Sequence, residues 1–109
     1  MSDIQKSDLL FEVKDIFGKY IRTTKTYWDK IFLIKHKELE VSQIEVIKLL
    51  QNPDEVRKSV QDQFIYLYYK NLDKKYLVVV VKYLNSHGFV ITIYKTSKLK
   101  RKGEKIWPK

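Results

Sequence analysis

Residues 76–96 read YLVVVVKYLNSHGFVITIYKT. Two apolar runs, Tyr76 to Leu84 and Phe89 to Thr96, flank Asn85-Ser86-His87-Gly88, residues that favour a tight turn. The unbroken run Val78 to Val81 is β-branched and suits a central strand covered on both faces. The stretch predicts a hairpin in the middle of an antiparallel sheet.

Working outward, Phe64 to Lys70 reads as an aromatic-rich strand joined to this hairpin by a turn at Asn71-Leu72-Asp73-Lys74. Glu55 to Val60 is a short polar strand, and Ile106-Trp107 a short edge piece before Pro108. On the N-terminal side the period changes. Trp28, Ile31, Phe32, Lys35 and Leu39 fall at helical spacing, with Thr23, Thr24 and Thr26 as candidate caps. Ser42 and Glu45 form a capping box that opens a second helix, with Ile44, Ile47 and Leu50 inward, and Asn52-Pro53-Asp54 stops it. Leu9 to Ile16 and Tyr20 to Arg22 read as strands around a Phe17-Gly18-Lys19 turn. Residues 1–8 read as a frayed polar start and 97–109 as a basic tail. The order is ββ–αα–ββββ. The expected class is α+β, with two N-terminal helices packed on one face of a four-stranded antiparallel sheet, in one domain over 1–109.

Strand alternation assigns faces. Ile65, Leu67 and Tyr69, then Leu77, Val79 and Val81, then Phe89, Ile91 and Ile93 are expected under the helices. Tyr66, Tyr68 and Lys70, then Tyr76, Val78, Val80 and Lys82, then Val90, Thr92, Tyr94 and Thr96 are expected on the opposite face. That second set gathers phenols, ammonium groups and hydroxyls. It reads either as one wall of a cationic cleft or as an ordinary solvated sheet face.

The 109 residues carry 22 Lys and Arg against 13 Asp and Glu, a net charge of +9. Such an excess attracts polyanions: nucleic acid, an acidic protein or an anionic membrane. A generally lysine-rich proteome is the alternative source of the excess. With no cysteine, thiolate metal sites and disulfides are excluded, which fits a reducing compartment. The start MSDIQKSDLL lacks the pattern of a signal peptide. The longest apolar run, Leu77 to Val81, falls far short of the ~20 residues that span a bilayer. The expectation is a cytoplasmic protein without membrane attachment. No CxxC, HExxH, Walker A or GxGxxG pattern occurs, so no metal and no cofactor are expected.

Two histidines differ in context. His87 sits in a turn. His36 lies near the end of the first helix, between lysines, and histidine is the natural acid or base near neutral pH. Arg57 is one of three arginines. Its planar fork suits bidentate phosphate contact, and an ion pair with Asp54 or Glu55 is the competing reading. Phosphate contacts are expected from Lys70, Lys95, Lys98, Lys100, Arg101 and Lys102, with Thr96 beside them. Stacking of bases is expected from Tyr66, Tyr68, Tyr76 or Tyr94.

The order Trp28…Ile31…His36-Lys37-Glu38-Leu39, Asn52-Pro53-Asp54-Glu55-Val56-Arg57-Lys58-Ser59, Tyr68-Tyr69-Lys70, Tyr76 to Lys82, Gly88 to Tyr94 and Lys102-Gly103-Glu104 resembles the phage-associated nuclease-like domains of the barnase, EndoU, colicin and RelE (BECR) superfamily. The resemblance covers roughly residues 12 to 107. Lys30 stands where that pattern carries a second histidine, and Lys37 where it carries proline. The resemblance implies an endoribonuclease that needs no metal, in which the 2′-hydroxyl of RNA attacks the adjacent phosphate. It implies His36 as base or acid, Arg57 and Lys82 as charge stabilisers, and Thr92, Tyr94 and Tyr68 as positioning groups. Small members resemble toxins of toxin–antitoxin pairs, which implies an acidic inhibitor as partner. A catalytically silent RNA-binding module and a basic protein docking an acidic partner stand as alternatives.

Overall fold

The computed structural model describes residues 8–35, 39–98 and 103–108. Strand β1 (Leu9–Lys14) and β2 (Tyr20–Thr24) form the first hairpin, followed by helix α1 (Lys25–Lys30), which widens into a π-helical turn at Ile31–Lys35. Helix α2 (Gln43–Gln51) leads to β3 (Glu55–Lys58), β4 (Ile65–Asn71), β5 (Tyr76–Leu84), β6 (His87–Thr96) and β7 (Lys105–Trp107). All seven strands join one sheet in the order β1-β2-β6-β5-β4-β3-β7.

This overturns the expectation of two N-terminal helices on a four-stranded antiparallel sheet. The helices are short, six and nine residues. The sheet is mixed, because β2 pairs with β6 in parallel, Ile21 opposite Gly88. That junction buries Ile21 completely. Gly88 permits it: a Cβ there would meet Val81 Cγ1 at 2.9 Å and Ile21 Cγ1 at 3.1 Å. Gly88 therefore lies inside β6 rather than in the turn, which is the pair Asn85-Ser86 with Asn85 at φ 60°.

Local signals hold where capping decides. Thr24 caps α1, its side chain accepting from the Tyr27 amide at 3.0 Å. Ser42 and Glu45 form both bonds of a capping box. The inward face of α2 is Val46, Leu49 and Leu50, whereas Ile44, expected inward, is 63% exposed.

The main core lies between the helices and one sheet face. Rows of paired residues cross that face: Trp107, Val56, Tyr68, Val79 and Ile93; then Tyr66, Val81 and Val90; then Tyr83, Gly88, Ile21 and Val13. Two expected face assignments are corrected. Strand β4 is phased the other way, with Tyr66 and Tyr68 under the helices and Ile65, Leu67 and Tyr69 on the opposite face. In β6 the register shifts between Val80 and Val81 of its partner, leaving Ile91 as an extra residue. Val90 and Ile93 therefore face the helices, while Phe89 pairs with Lys82 on the other side. A one-residue change of phase sends every side chain of a strand to the other face. Among the described residues no helix is long and apolar enough to cross a membrane.

Candidate functional site

The face turned away from the helices is built from four rows. Tyr76 and Thr96 pair at one end. Next come Glu55, Tyr69, Val78 and Tyr94, then Arg57, Leu67, Val80 and Thr92. Below them lie Ile65, Lys82, Phe89 and Arg22. The centre is apolar: Tyr69, Val78 and Val80 are buried, with Ile65, Leu67, Ile91 and Tyr94 packed around them. This small second core roots the polar groups at its margin.

Arg57 is the most firmly held of these. Its Nε pairs with the Glu55 carboxylate, two residues away on the same strand face. Its Nη1 donates to the Gly103 carbonyl at 2.9 Å. Both side chains of the pair are mostly buried, 16% and 17% exposed. Gly103 sits where the chain enters β7, with φ 86°, and a Cβ there would fall 2.0 Å from the Lys58 carbonyl oxygen. Glycine thus lets two backbones meet and aims a carbonyl at Arg57.

The phenols beside this pair are held protonated. Burial pushes Tyr69 up to about 12, aided by the charges of Tyr94 and Glu55 and opposed by Arg57. Burial also raises Tyr94. Neutral phenols in this setting are hydrogen-bond donors rather than sources of protons. Lys82, one row lower, pairs with Asp62 at 3.1 Å. The Phe64 backbone amide and then Lys82 hold the Asp62 carboxyl below its ordinary range.

Of the residues expected from sequence, Arg57, Lys82, Thr92, Tyr94 and Thr96 share this face. Lys98 continues from Thr96, whose hydroxyl bonds both its amide and its carbonyl. Tyr68 does not share it. It is fully buried under the helices, its hydroxyl bonded to Asp15 and Tyr83. Tyr66 lies on that side too, packed edge-on to Tyr83. Lys70 and Lys95 flank Leu77 on the helix side, where Lys70 pairs with Asp54 and Lys95 donates to the Glu40 carbonyl. His36, Lys37, Lys100, Arg101 and Lys102 lie outside the described residues. Tyr69 joins this face because β4 has the opposite phase to the one alternation suggests, and Glu55 joins it as the ion-pair partner of Arg57. The i, i+2 spacing of Glu55 and Arg57 on one strand was the available signal.

A cleft of about 360 Å³ between α2 and Leu77 lies on the helix side, away from Arg57. Among the described residues no group of three or more His, Cys, Asp or Glu gathers as metal ligands would. No family model, no curated protein and no solved structure matches the chain.

Proposed function

We propose that this chain binds RNA across the sheet face opposite the helices and cleaves it beside Arg57. The observation that carries the reading is the anchored Arg57, on a face that also carries neutral Tyr69 and Tyr94, in a protein of net charge +9. In the proposed step the 2′-oxygen bonds to phosphorus and the P–O5′ bond breaks. The 2′-proton passes to the Glu55 carboxylate. The 5′-oxygen takes a proton from water as it leaves; the family resemblance implies His36 as base or acid, and that residue lies outside the described residues. Arg57 stabilises the charge on the phosphorane, and Tyr94 and Thr92 orient it by hydrogen bonds. The products are a 2′,3′-cyclic phosphate and a 5′-hydroxyl. The excess positive charge also suits an acidic inhibitor protein covering the same face, as in a toxin–antitoxin pair.

One observation favours a silent RNA-binding module instead: Arg57 and Lys82 each already hold a carboxylate. Incubation of the purified protein with total RNA in EDTA separates the readings. Cyclic-phosphate ends that fall about 10²-fold or more in Arg57→Lys, with an unchanged circular dichroism spectrum, support cleavage. Salt-sensitive binding without new ends supports the silent module. No RNA affinity, with tight capture of an acidic protein, overturns both.

A further inference from the structure

Strands β2 and β6 pair only from Tyr20 to Arg22 and from His87 to Phe89. Beyond that β2 turns into α1 at Thr24, while β6 carries its extra residue at Ile91. The strands part, and Tyr27 reaches across to donate its hydroxyl to the Ile91 carbonyl at 2.9 Å. In the opening lies a cleft of about 300 Å³, lined by Arg22, Thr23, Tyr27, Phe89, Val90 and Ile91 among others.

We propose that this cleft is a nucleobase subsite, a reading that rests on the RNA function proposed above. Its volume is at the lower end of small-ligand sites and suits one flat heterocycle with its sugar. Its walls are aromatic and aliphatic, from Phe89, Val90 and Ile91, and any base presents a π-face to such walls. Its polar groups are few and defined. Thr23 is 2% exposed, and its hydroxyl meets no hydrogen-bond partner. A buried orphan hydroxyl is costly and calls for a partner; this one lies behind the cleft wall, so a base edge pairs with it only when a rotation of Thr23 brings the hydroxyl to the cleft. Arg22 is held by Glu12, which accepts from its Nε at 2.9 Å and its Nη2 at 2.5 Å. That leaves a planar, oriented cation on the wall. The position fits as well. Phe89 pairs with Lys82 and precedes Thr92 by three residues, roughly 10 Å along β6. Arg57 itself lies three strands away across the sheet, roughly 14 Å from Thr92, so a base seated here belongs to a nucleotide at least one step removed from the phosphate at Arg57.

The test is an NMR titration of the whole chain with each of the four nucleoside 3′-monophosphates, with ribose 5-phosphate as the base-free control. Shifts of the Thr23, Val90 and Ile91 methyl signals with at least one nucleotide, and none with ribose phosphate, are expected. Phe89→Ala weakens that nucleotide about tenfold. Thr23→Val, which keeps shape and removes the hydroxyl, flattens the preference among the four bases and serves as the second variant if Phe89→Ala fails to fold. Equal shifts from nucleotides and ribose phosphate, or wild-type affinities in the folded variants, overturn the subsite. If long RNA is still bound or cleaved in an Arg57-dependent way, only the subsite falls. If RNA is bound nowhere, the functional reading falls with it.

Discussion

The hydroxyl of Tyr68 lies 2.5 Å from Oδ2 of Asp15, which stands 53 residues earlier in the chain. The Tyr83 hydroxyl meets the same oxygen at 2.5 Å and also contacts the Tyr68 hydroxyl. The other oxygen, Oδ1, accepts from the amides of Phe17 at 3.0 Å and Lys19 at 2.8 Å. Asp15 is 5% exposed, so a carboxylate is buried with four donors around it. This cluster ties the β1–β2 turn to β4 and β5. It also explains why the Tyr66–Tyr68 phase turns toward the helices: a phenol carries a large apolar body and needs only one partner for its tip.

Asp15→Ala strands those donors in the core. The expected loss is about 3–4 kcal/mol of unfolding free energy, against about 1–2 kcal/mol for Tyr68→Phe. Urea midpoints measure both. An Asp15→Ala shift no larger than that of a surface substitution would show that the cluster does not lock the turn.

Alkaline pH should weaken the fold. Burial is the largest cause raising Tyr68, Tyr83, Tyr69 and Tyr94 above the ordinary 10.0, and neighbouring groups also raise Tyr68, Tyr83 and Tyr69. The folded state keeps protons that the unfolded chain releases. The stability from each group is therefore full below pH 10 and declines as pH rises above it, by at most about 1.4 kcal/mol per pH unit for each of Tyr68, Tyr83 and Tyr69, with Tyr94 acting in the same direction. For Tyr69 the decline levels off near pH 12, its raised value. Urea midpoints between pH 8 and 11.5 follow this, and Tyr83→Phe should flatten the slope by one tyrosine.

Salt dependence should divide the lysines by face. If RNA follows the face opposite the helices, Lys98→Gln lowers the slope of log K against log salt by about 0.7, the single-strand value for one lost phosphate contact. Lys70→Gln and Lys95→Gln, on the helix side, leave it unchanged. Equal effects from all three would point to diffuse attraction without a defined path.

Gly103→Ala should cost about 1–3 kcal/mol, because the new Cβ meets the Lys58 carbonyl at 2.0 Å and φ is 86°. It should also reduce any Arg57-dependent cleavage, since Gly103 supplies the carbonyl that holds Nη1. Denaturation and the cyclic-phosphate assay report the two effects separately. Unchanged stability would mean that the entry to β7 yields without strain.

Much of the chain's local grammar was legible: the Ser42–Glu45 box, the cap at Thr24, the valine-rich β5 and the turn after Leu84. Each depends on groups a few residues apart, so the chain's own order brings them together. The residues shared by the candidate face were legible in part. Lys82, Thr92 and Tyr94 followed from alternation along β5 and β6, and the Arg57–Glu55 ion pair was one of the two readings of Arg57, but Tyr69 and the Gly103 carbonyl that anchors Arg57 were not legible.

The amino-acid order by itself determined where strands, helices and caps form and the strong positive charge that any partner must meet. The tertiary structure alone decided that β2 joins β6 in parallel, that β4 turns Tyr66 and Tyr68 toward the helices and Tyr69 away from them, and that Gly103 reaches Arg57 across 46 residues. The reason is physical. Alternation within a strand leaves two phases of similar local energy, and only distant partners such as Asp15 for Tyr68, or Ile21 against Gly88, select one of them.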